Sequence, residues 1–188
     1  MKSGVRALGI AESYRARRST LAGVVTRASR VTDGFAYRTC TVGGTDATDA
    51  AIDLFSALDR EDVRYVFVAG IALAWYNVVD LRRVNDAVDR PVISVTFEES
   101  PGLVAALEAE FEGEALRRRR ETFERQPPRE RLSVNDQTVF VRSVGVETGE
   151  ARDAVRAFTP EGGRPEPLRV ARLAARAGDE LRRESEQE

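Results

Sequence analysis

The sequence predicts a single α/β domain whose sheet begins with a three-stranded meander and continues with strands joined by helices. Three β-rich runs follow one another in the N-terminal part of the chain, separated by turn-forming residues. Helical and strand-like segments then alternate, which is typical of parallel pairing. With 188 residues, the chain is long enough to bury about two thirds of the surface that its unfolded form exposes.

The meander is predicted from three runs. Residues 5–10 and 21–27 are apolar and β-branched, and the polar stretch 13–20 between them predicts a turn. Residues 35–42 follow the turn signal at 32–34 and alternate larger side chains with smaller ones. We therefore expect three antiparallel strands in chain order.

A helix followed by two central strands is predicted next. Gly43 and Gly44 end the third strand, and a helix opens at Asp46. Residues 64–69 and 91–96 are β-branched runs on either side of a helical stretch that ends near Val88, so these strands should pair in parallel. The first helix has apolar residues at helical spacing: Ala51, Leu54, Phe55 and Leu58.

The C-terminal part combines helices with one hairpin. Two helices are predicted at 103–111 and 114–126, and Pro127-Pro128 then interrupts the chain. A hairpin that extends or covers the sheet is predicted at 131–134 and 138–143, turning at Asn135-Asp136. The remaining elements are a helix at 151–158, a Pro/Gly loop at 159–167 and a C-terminal helical arm at 168–183.

Composition excludes several kinds of site. Histidine is absent, which excludes Ser-His and Cys-His catalytic pairs and histidine-ligated zinc. Cys40 is the only cysteine, so no disulfide forms within the chain, and its apolar surroundings predict burial. Basic and acidic side chains number 29 and 31, so a charged partner must be met by a local patch. No signal peptide or membrane-spanning run is recognised, and we expect a cytoplasmic protein.

A candidate site is predicted at the edge of the sheet where the parallel strands end, because ligands of such sheets bind there. The segments expected to meet are residues 11–13, 43–49 and 70–80. The catalytic candidates are Glu12, Asp46 and Asp49, and the first two are also candidate metal ligands. The ligand-binding candidates are Gly43, Gly44, Thr45, Trp75, Asn77 and Asp80.

Each candidate has a structural alternative. The Gly43-Gly44-Thr45 turn resembles a phosphate cradle at a helix start, but Asp46 and Asp49 would repel an anion there. Both aspartates can instead cap the helix. Together with a carboxylate at position 12 they can also supply the oxygen ligands that Mg²⁺ prefers.

Aromatic and basic side chains indicate contacts with a nucleic acid. Trp75 and Tyr76 offer a stacking face for a base, although core packing is the common role of such a pair. The run 117–120 and a stripe on the last helix are the two basic clusters, and both have acidic neighbours typical of a solvated helix face. The stripe is predicted to contact phosphates through Arg169, Arg172 and Arg176 and continues to Arg183.

Three segments resemble a known family. They are residues 4–14 (GVRALGIAESY), 41–50 (TVGGTDATDA) and 68–81 (VAGIALAWYNVVDL). The chain resembles the uncharacterised archaeal family with domain of unknown function ninety-nine, also called uncharacterised protein family 0215. That family is distantly similar to endonuclease V, which implies a ribonuclease H-like mixed sheet flanked by helices.

In endonuclease V, metal-binding carboxylates lie at the ends of the first and fourth strands and near the third. The resemblance implies which positions of this chain correspond to them. This sequence has Ala11 and Ala69 at two of those positions. A methyl group cannot ligate Mg²⁺. The main hypothesis is therefore a non-catalytic binder of nucleic acid or a nucleotide. The alternatives are a hydrolase that uses Mg²⁺ at the remaining carboxylates and a protein-binding scaffold.

Overall fold

The computed structural model describes residues 1–15, 17–99 and 102–186. Its strands are β1 (Arg6–Tyr14), β2 (Arg18–Arg27), β3 (Thr32–Thr41), β4 (Val63–Val68), β5 (Ala72–Leu73), β6 (Asn77–Val78), β7 (Val92–Thr96), β8 (Glu130–Val134) and β9 (Gln137–Val144). Its helices are α1 (Ala47–Leu58), α2 (Leu81–Val88), α3 (Val104–Glu110), α4 (Gly113–Glu124), α5 (Thr148–Ala157) and α6 (Glu166–Ser185).

Seven strands form one mixed sheet in the order β3-β2-β1-β4-β7-β9-β8. β1, β4 and β7 run parallel to one another, whereas the meander β1-β2-β3 and the hairpin β8-β9 pair antiparallel. This is the predicted mixed sheet, and the helix-strand-helix-strand order after the meander is also confirmed. The carboxyl ends of β1, β4 and β7 consequently share one edge of the sheet.

The two faces of the sheet pack against different helices because successive strand residues point to opposite sides. Leu8 and Ile10 of β1 face the side covered by α1 and α2. Ala7 and Ala11 face the side covered by α5 and α6. Gly9 lies on that second side, and a Cβ there would come within 2.2 Å of the Pro167 carbonyl oxygen. The start of α6 therefore rests directly on the backbone of β1.

The first correction concerns the stretch 13–20, which was predicted to be a polar turn. β1 continues to Tyr14 and β2 begins at Arg18, so most of this stretch is strand. The buried hydroxyl groups of Ser19 and Thr20 have hydrogen-bond partners outside the stretch. The Ser19 hydroxyl donates to Glu12, and the Thr20 hydroxyl lies 3.4 Å from an Asp179 oxygen. Position 16, in the middle of the predicted turn, lies outside the described residues.

The second correction concerns residues 70–80, where a loop or a first helical turn was predicted. These residues form the small hairpin β5-β6, and α2 begins only at Leu81. The C-terminal predictions hold more closely, since β8 and β9 pair around the Asn135-Asp136 turn. α5 starts at Thr148 and α6 at Glu166, each a few residues before its predicted start. Among the described helices, none is long and apolar enough to cross a membrane.

Candidate functional site

Two alanines, Ala11 and Ala69, lie where the parallel pairing of β1 with β4 ends, just beyond the Ile10–Val68 pair. Ala11 has no exposed surface and packs against the alanines of α6, whereas Ala69 is partly exposed and borders a cleft. Glu12, the next residue of β1, points to the opposite face of the sheet, as strand alternation predicts. The carboxylate of Glu12 therefore lies on the other side of the sheet from the methyl group of Ala11.

Glu12 is held by neighbours on three elements. Its Oε2 accepts a hydrogen bond from the Ser19 hydroxyl at 2.8 Å, and its carboxylate also accepts from the Ala74 N–H. Burial raises the pKa of Glu12 above its ordinary value, and the two hydrogen bonds and the charge of Arg172 only partly oppose this effect. Glu12 is thus a half-buried carboxylate whose ionised form costs free energy in the folded protein.

We expect Glu12→Gln to reduce the pH dependence of stability. Because the folded pKa lies above the unfolded value of 4.5, Glu12 costs nothing at lower pH and destabilises the fold increasingly as pH rises above that value. The amide removes this cost, so the variant should gain stability relative to wild type at about pH 8 but not at about pH 5. Urea denaturation at both pH values measures this difference. Glu61→Gln, at an exposed glutamate, is the control, and an equal shift at both pH values would contradict the expectation.

Asp46 and Asn77 form a buried polar network between β3, α1 and β6. Asn77 has no exposed surface; its Nδ2 donates to the Thr41 carbonyl at 2.8 Å and to Asp46 Oδ1 at 2.7 Å, and its Oδ1 accepts from the Ala47 N–H at 2.9 Å. The Asp46 carboxylate also accepts from the Thr41 N–H and hydroxyl. Burial opposes the charge of Asp46, but these donors outweigh burial and lower its pKa.

The β5-β6 hairpin places an aromatic pair at the edge of the sheet. Ala74, Trp75 and Tyr76 all adopt left-handed φ values, of 42°, 59° and 56°. Such a conformation costs a residue with a side chain about 1–2 kcal/mol, so other contacts must hold it. The Gly43 N–H donates to the Ala74 carbonyl at 2.7 Å, and Arg119 donates to the Tyr76 carbonyl at 3.2 Å. Trp75 is 46% exposed, so the predicted core packing is wrong for this residue.

The Gly43-Gly44-Thr45 turn is not arranged as a phosphate cradle. The Gly43 and Gly44 N–H groups are used within the protein, and their carbonyl groups accept hydrogen bonds from the buried guanidinium of Arg119. The Asp46 carboxylate makes no hydrogen bond to the start of α1, so the capping alternative is wrong for this residue. The other three members of the run 117–120 form ion pairs with glutamates, as expected of a solvated face.

Two further candidates lie at the starts of α1 and α2. Asp49 is in the first turn of α1 and pairs with Arg83 at 2.5 Å. Asp80 caps α2 through the backbone N–H groups of Arg82 and Arg83. Thr45 borders the same polar depression as Asp80. Asp80 stabilises the start of α2, and the carboxylates of Asp49 and Asp80 are both already engaged.

The residues present do not fit a divalent-metal centre. In the part of the chain that the structure describes, no three acidic or cysteine side chains come together as metal ligands. Asp46 is engaged with Thr41 and Asn77, and Glu12 with Ser19 and the hairpin. Ala11 and Ala69, which lie where the pairing of β1 with β4 ends, offer no side-chain oxygen ligand.

A cleft of about 930 Å³ lies beyond the carboxyl ends of β4 and β7. Its walls come from those two strand ends, the start of α3, one side of β9 and the region around α6. Arg172 of α6 lines the cleft and acts on Glu12 through its charge. Three more arginines line it, namely Arg129, Arg142 and Arg164.

The predicted arginine stripe on α6 has two different parts. Arg169 pairs with Glu166 at 2.7 Å. Arg172 and Arg176 form no ion pair with another described residue, and their charges act on Arg164. Arg172, which lines the cleft, and Arg176 therefore carry positive charge that no described carboxylate pairs.

Sequence reasoning missed the arginines of β9 and its surroundings. Phe140 and Arg142 lie on the same side of β9 by strand alternation, which was visible in the predicted strand 138–143. What the pattern did not reveal was that β9 pairs with β7, with Arg142 opposite Ser94 and Phe140 opposite Thr96. This pairing is what brings both side chains to the carboxyl edge.

The sequence of residues 3–178 matches the family model described as Endonuclease dU. The chain belongs to this family. A UPF0215 protein of Pyrobaculum calidifontis is 33% identical over 172 residues, which cover 89% of this chain and 93% of that protein. Another from Thermococcus gammatolerans is 34% identical over 85% of this chain and 81% of that protein. The resemblance inferred from the three sequence segments is thereby confirmed.

Solved structures show the same fold. A protein of unknown function from Archaeoglobus fulgidus has a TM-score of 0.83 and 31% identity, over 92% of this chain and 96% of that one. Endonuclease V of Ciona intestinalis, solved with DNA containing an inosine, has a TM-score of 0.64 and 11% identity over 94% and 86% of the two chains. Human endonuclease V has a TM-score of 0.62. The ribonuclease H-like architecture is thus shared with endonuclease V.

Proposed function

We propose that this protein of the endonuclease dU family binds nucleic acid at the carboxyl edge of its sheet without cleaving it. The observation that carries the proposal is the chemistry of that edge. Ala11 and Ala69 lie where the pairing of β1 with β4 ends. The adjacent cleft is lined by Arg142, Arg164 and Arg172, which form no ion pair with a described residue. Such an edge attracts phosphates but lacks the ligands for a metal that would activate water.

The arrangement of the arginines supports phosphate binding. Arg172 and Arg176 lie one helical turn apart on α6, and Arg164 precedes that helix closely enough for the three charges to repel one another. Guanidinium groups bind phosphate oxygens through pairs of N–H donors. Arg169 extends the same stripe, although its pair with Glu166 weakens its contribution.

Trp75 supplies a surface for a base. Its ring is exposed at the tip of the β5-β6 hairpin and packs at 5.3 Å from the ring of Tyr76. Stacking of an unpaired base on an aromatic side chain contributes about 1–3 kcal/mol. An exposed Trp beside a basic edge is therefore suited to single-stranded DNA or RNA. DNA is bound by the related fold of Ciona intestinalis endonuclease V.

The proposal predicts salt-dependent binding that depends on α6. We expect single-stranded oligonucleotides to bind with an affinity that falls about tenfold between about 50 mM and about 200 mM salt. Arg172→Glu and Arg176→Glu should each weaken binding at low salt by about tenfold, and Arg169→Glu by less because Glu166 already offsets its charge. Fluorescence anisotropy with labelled DNA and RNA measures the affinity of the wild-type protein and of the three variants.

Cleavage is assayed on the same strands. We expect no product with Mg²⁺ or Mn²⁺ from DNA that contains inosine or dU. Arg117→Glu is the matched control for charge reversal, since Arg117 is engaged by Glu114 and Glu121 on an exposed face. Absence of binding at low salt, or equal losses in the Arg172 and Arg117 variants, would refute the binding proposal.

A metal-dependent hydrolase is the second candidate, and the family's description as an endonuclease favours it. In that case Glu12, Asp46 and Asp49 would have to rearrange around Mg²⁺. Product formation that is abolished by Asp46→Ala, in a variant that still folds, would establish this function.

A protein-binding scaffold is the remaining alternative. The absence of both nucleic-acid binding and cleavage would favour it. Four exposed apolar side chains on β3 and α6 provide a surface for a protein partner: Phe35, Tyr37, Leu173 and Leu181.

A further inference from the structure

Three arginines of the cleft lie over aromatic rings. The guanidinium carbon of Arg129 is 4.0 Å from the centre of the Phe140 ring, that of Arg164 is 4.4 Å from Phe97, and that of Arg142 is 5.5 Å from Phe123. Stacking fixes the plane of a guanidinium and leaves its N–H donors directed outward along the edge of that plane. Because Arg129 donates to the Thr96 hydroxyl and the Glu98 carbonyl, the oriented donors of the cleft are those of Arg142 and Arg164.

Three arginines of the cleft have no carboxylate at ion-pair distance among the described residues. Arg142, Arg164 and Arg172 form no ion pair with any residue that the structure describes. Two glutamates contribute to the lining, and one of them, Glu108, is paired with Arg120 at 3.1 Å. The cleft therefore carries an excess of positive charge.

Burial makes this excess costly. The pKa of Arg142 is lowered by burial and then by the charge of Arg129. The pKa of Arg164 is lowered by burial and then by the charges of Arg172 and Arg176. Like charges in a partly desolvated site repel strongly, and a bound anion would remove that repulsion.

We propose that the cleft binds the terminal phosphate monoester of a nucleic-acid strand. This inference rests on the proposed function and specifies which part of the strand the cleft recognises. A phosphate monoester carries a charge of about −1.5 to −2 at pH 7 and has three acceptor oxygens, whereas a phosphodiester within a strand carries a single charge. Three guanidiniums without carboxylate partners among the described residues match the monoester better in charge and in the number of donors.

The rest of the cleft suits the nucleoside that carries the phosphate. Leu103 and Val104 at the start of α3, and Phe97 after β7, provide apolar surface near the arginines. The volume of about 930 Å³ lies within the range of small-molecule pockets. The same phosphate chemistry is found in a free nucleoside monophosphate, so the experiment must separate a strand end from a free nucleotide.

The test compares strand ends on the wild-type protein. Single-stranded DNA of about 12 nucleotides is prepared with a 5′-phosphate, with a 3′-phosphate or with hydroxyl groups at both ends, and an internal label reports anisotropy. We expect one phosphorylated end to bind about tenfold more tightly than the hydroxyl-ended strand, which corresponds to one additional charge-assisted contact. Competition with inorganic phosphate and with thymidine monophosphate identifies the minimal ligand.

Two variants locate the preference. Arg164→Gln and Arg142→Gln should remove the preference for the phosphorylated end, while weak binding of the hydroxyl-ended strand persists. Arg164→Gln is the more specific test. Arg142 also donates a hydrogen bond to the Pro127 carbonyl, so Arg142→Gln removes a structural contact as well. Arg117→Gln, on an exposed face outside the cleft, is the matched control and should keep the preference.

The outcomes separate this inference from the proposed function. Equal affinity of the wild-type protein for all three strands overturns the end preference whether or not any variant folds, and it leaves nucleic-acid binding standing. Binding of thymidine monophosphate in a calorimetric titration, with no binding of any strand, assigns the phosphate site to a free nucleotide and overturns both the strand-end preference and nucleic-acid binding. A preference that survives Arg164→Gln in a folded protein places the phosphate elsewhere and refutes the cleft.

Discussion

Ala11→Asp is expected to destabilise the protein by about 3–5 kcal/mol because it places a carboxylate in a closed part of the core. Ala11 has no exposed surface and lies in a cluster with Ala22 and the alanines 171, 174 and 175 of α6. A buried carboxylate would have no partner there, and its larger side chain would push the helix away from the sheet. The free energy of unfolding, from urea denaturation, measures the loss.

Ala69→Asp is the matched control for this prediction. The methyl group of Ala69 borders the cleft that Arg164 and Arg172 line, so a carboxylate at this position has cationic neighbours and partial access to solvent. We expect little loss of stability and a fall in affinity for single-stranded DNA of about tenfold, since the new charge neutralises the arginines. Equal destabilisation by the two substitutions would show that α6 does not determine the tolerance at position 11.

This contrast indicates why the edge of the sheet differs at its two strand ends. At β1, close contact with a helix rich in small residues leaves space only for a methyl group. At β4, the methyl group leaves space that the arginines surround. The packing of α6 against β1 and β2 therefore explains why position 11 accepts only a small side chain, whereas position 69 borders the basic cleft.

The order of the elements was predictable because most depend on local patterns. Alternating and β-branched runs predicted the meander, and apolar residues at helical spacing predicted α1. The turn between β8 and β9 was predictable since Asn135 and Asp136 tolerate the positive φ values of 47° and 63° that they adopt. These elements can be predicted without knowing what the segments pack against.

The site was less predictable because its residues depend on distant contacts. The local pattern placed Ser19 and Thr20 in a turn, and only Glu12 and Asp179 explain their burial in a strand. The β5-β6 hairpin contains three left-handed residues with side chains, which no local propensity favours. Arg119 belonged to a run that resembles a solvated face, yet it is 5% exposed and donates to backbone carbonyls of two other segments.

Asn77→Ala is expected to destabilise the protein by about 3 kcal/mol and to loosen the β5-β6 hairpin. The amide joins β3, α1 and β6, and its removal leaves the Ala47 N–H buried without its acceptor. The hairpin would then lose one of the contacts that hold its left-handed residues. Because Trp75 is the only tryptophan, its fluorescence reports on the hairpin directly, and we expect emission at longer wavelength in the native variant.

Asn85→Ala is the control for this loss, because Asn85 makes a single side-chain hydrogen bond to the Arg90 carbonyl at 2.8 Å and lies on α2 away from the hairpin. It should cost about 1 kcal/mol and leave the emission of Trp75 unchanged. If stacking on Trp75 contributes to binding, Asn77→Ala should also weaken single-stranded DNA binding under conditions where the protein stays folded. An unchanged spectrum together with unchanged affinity would mean that the remaining contacts of the hairpin, from Gly43 and Arg119, are sufficient to position Trp75.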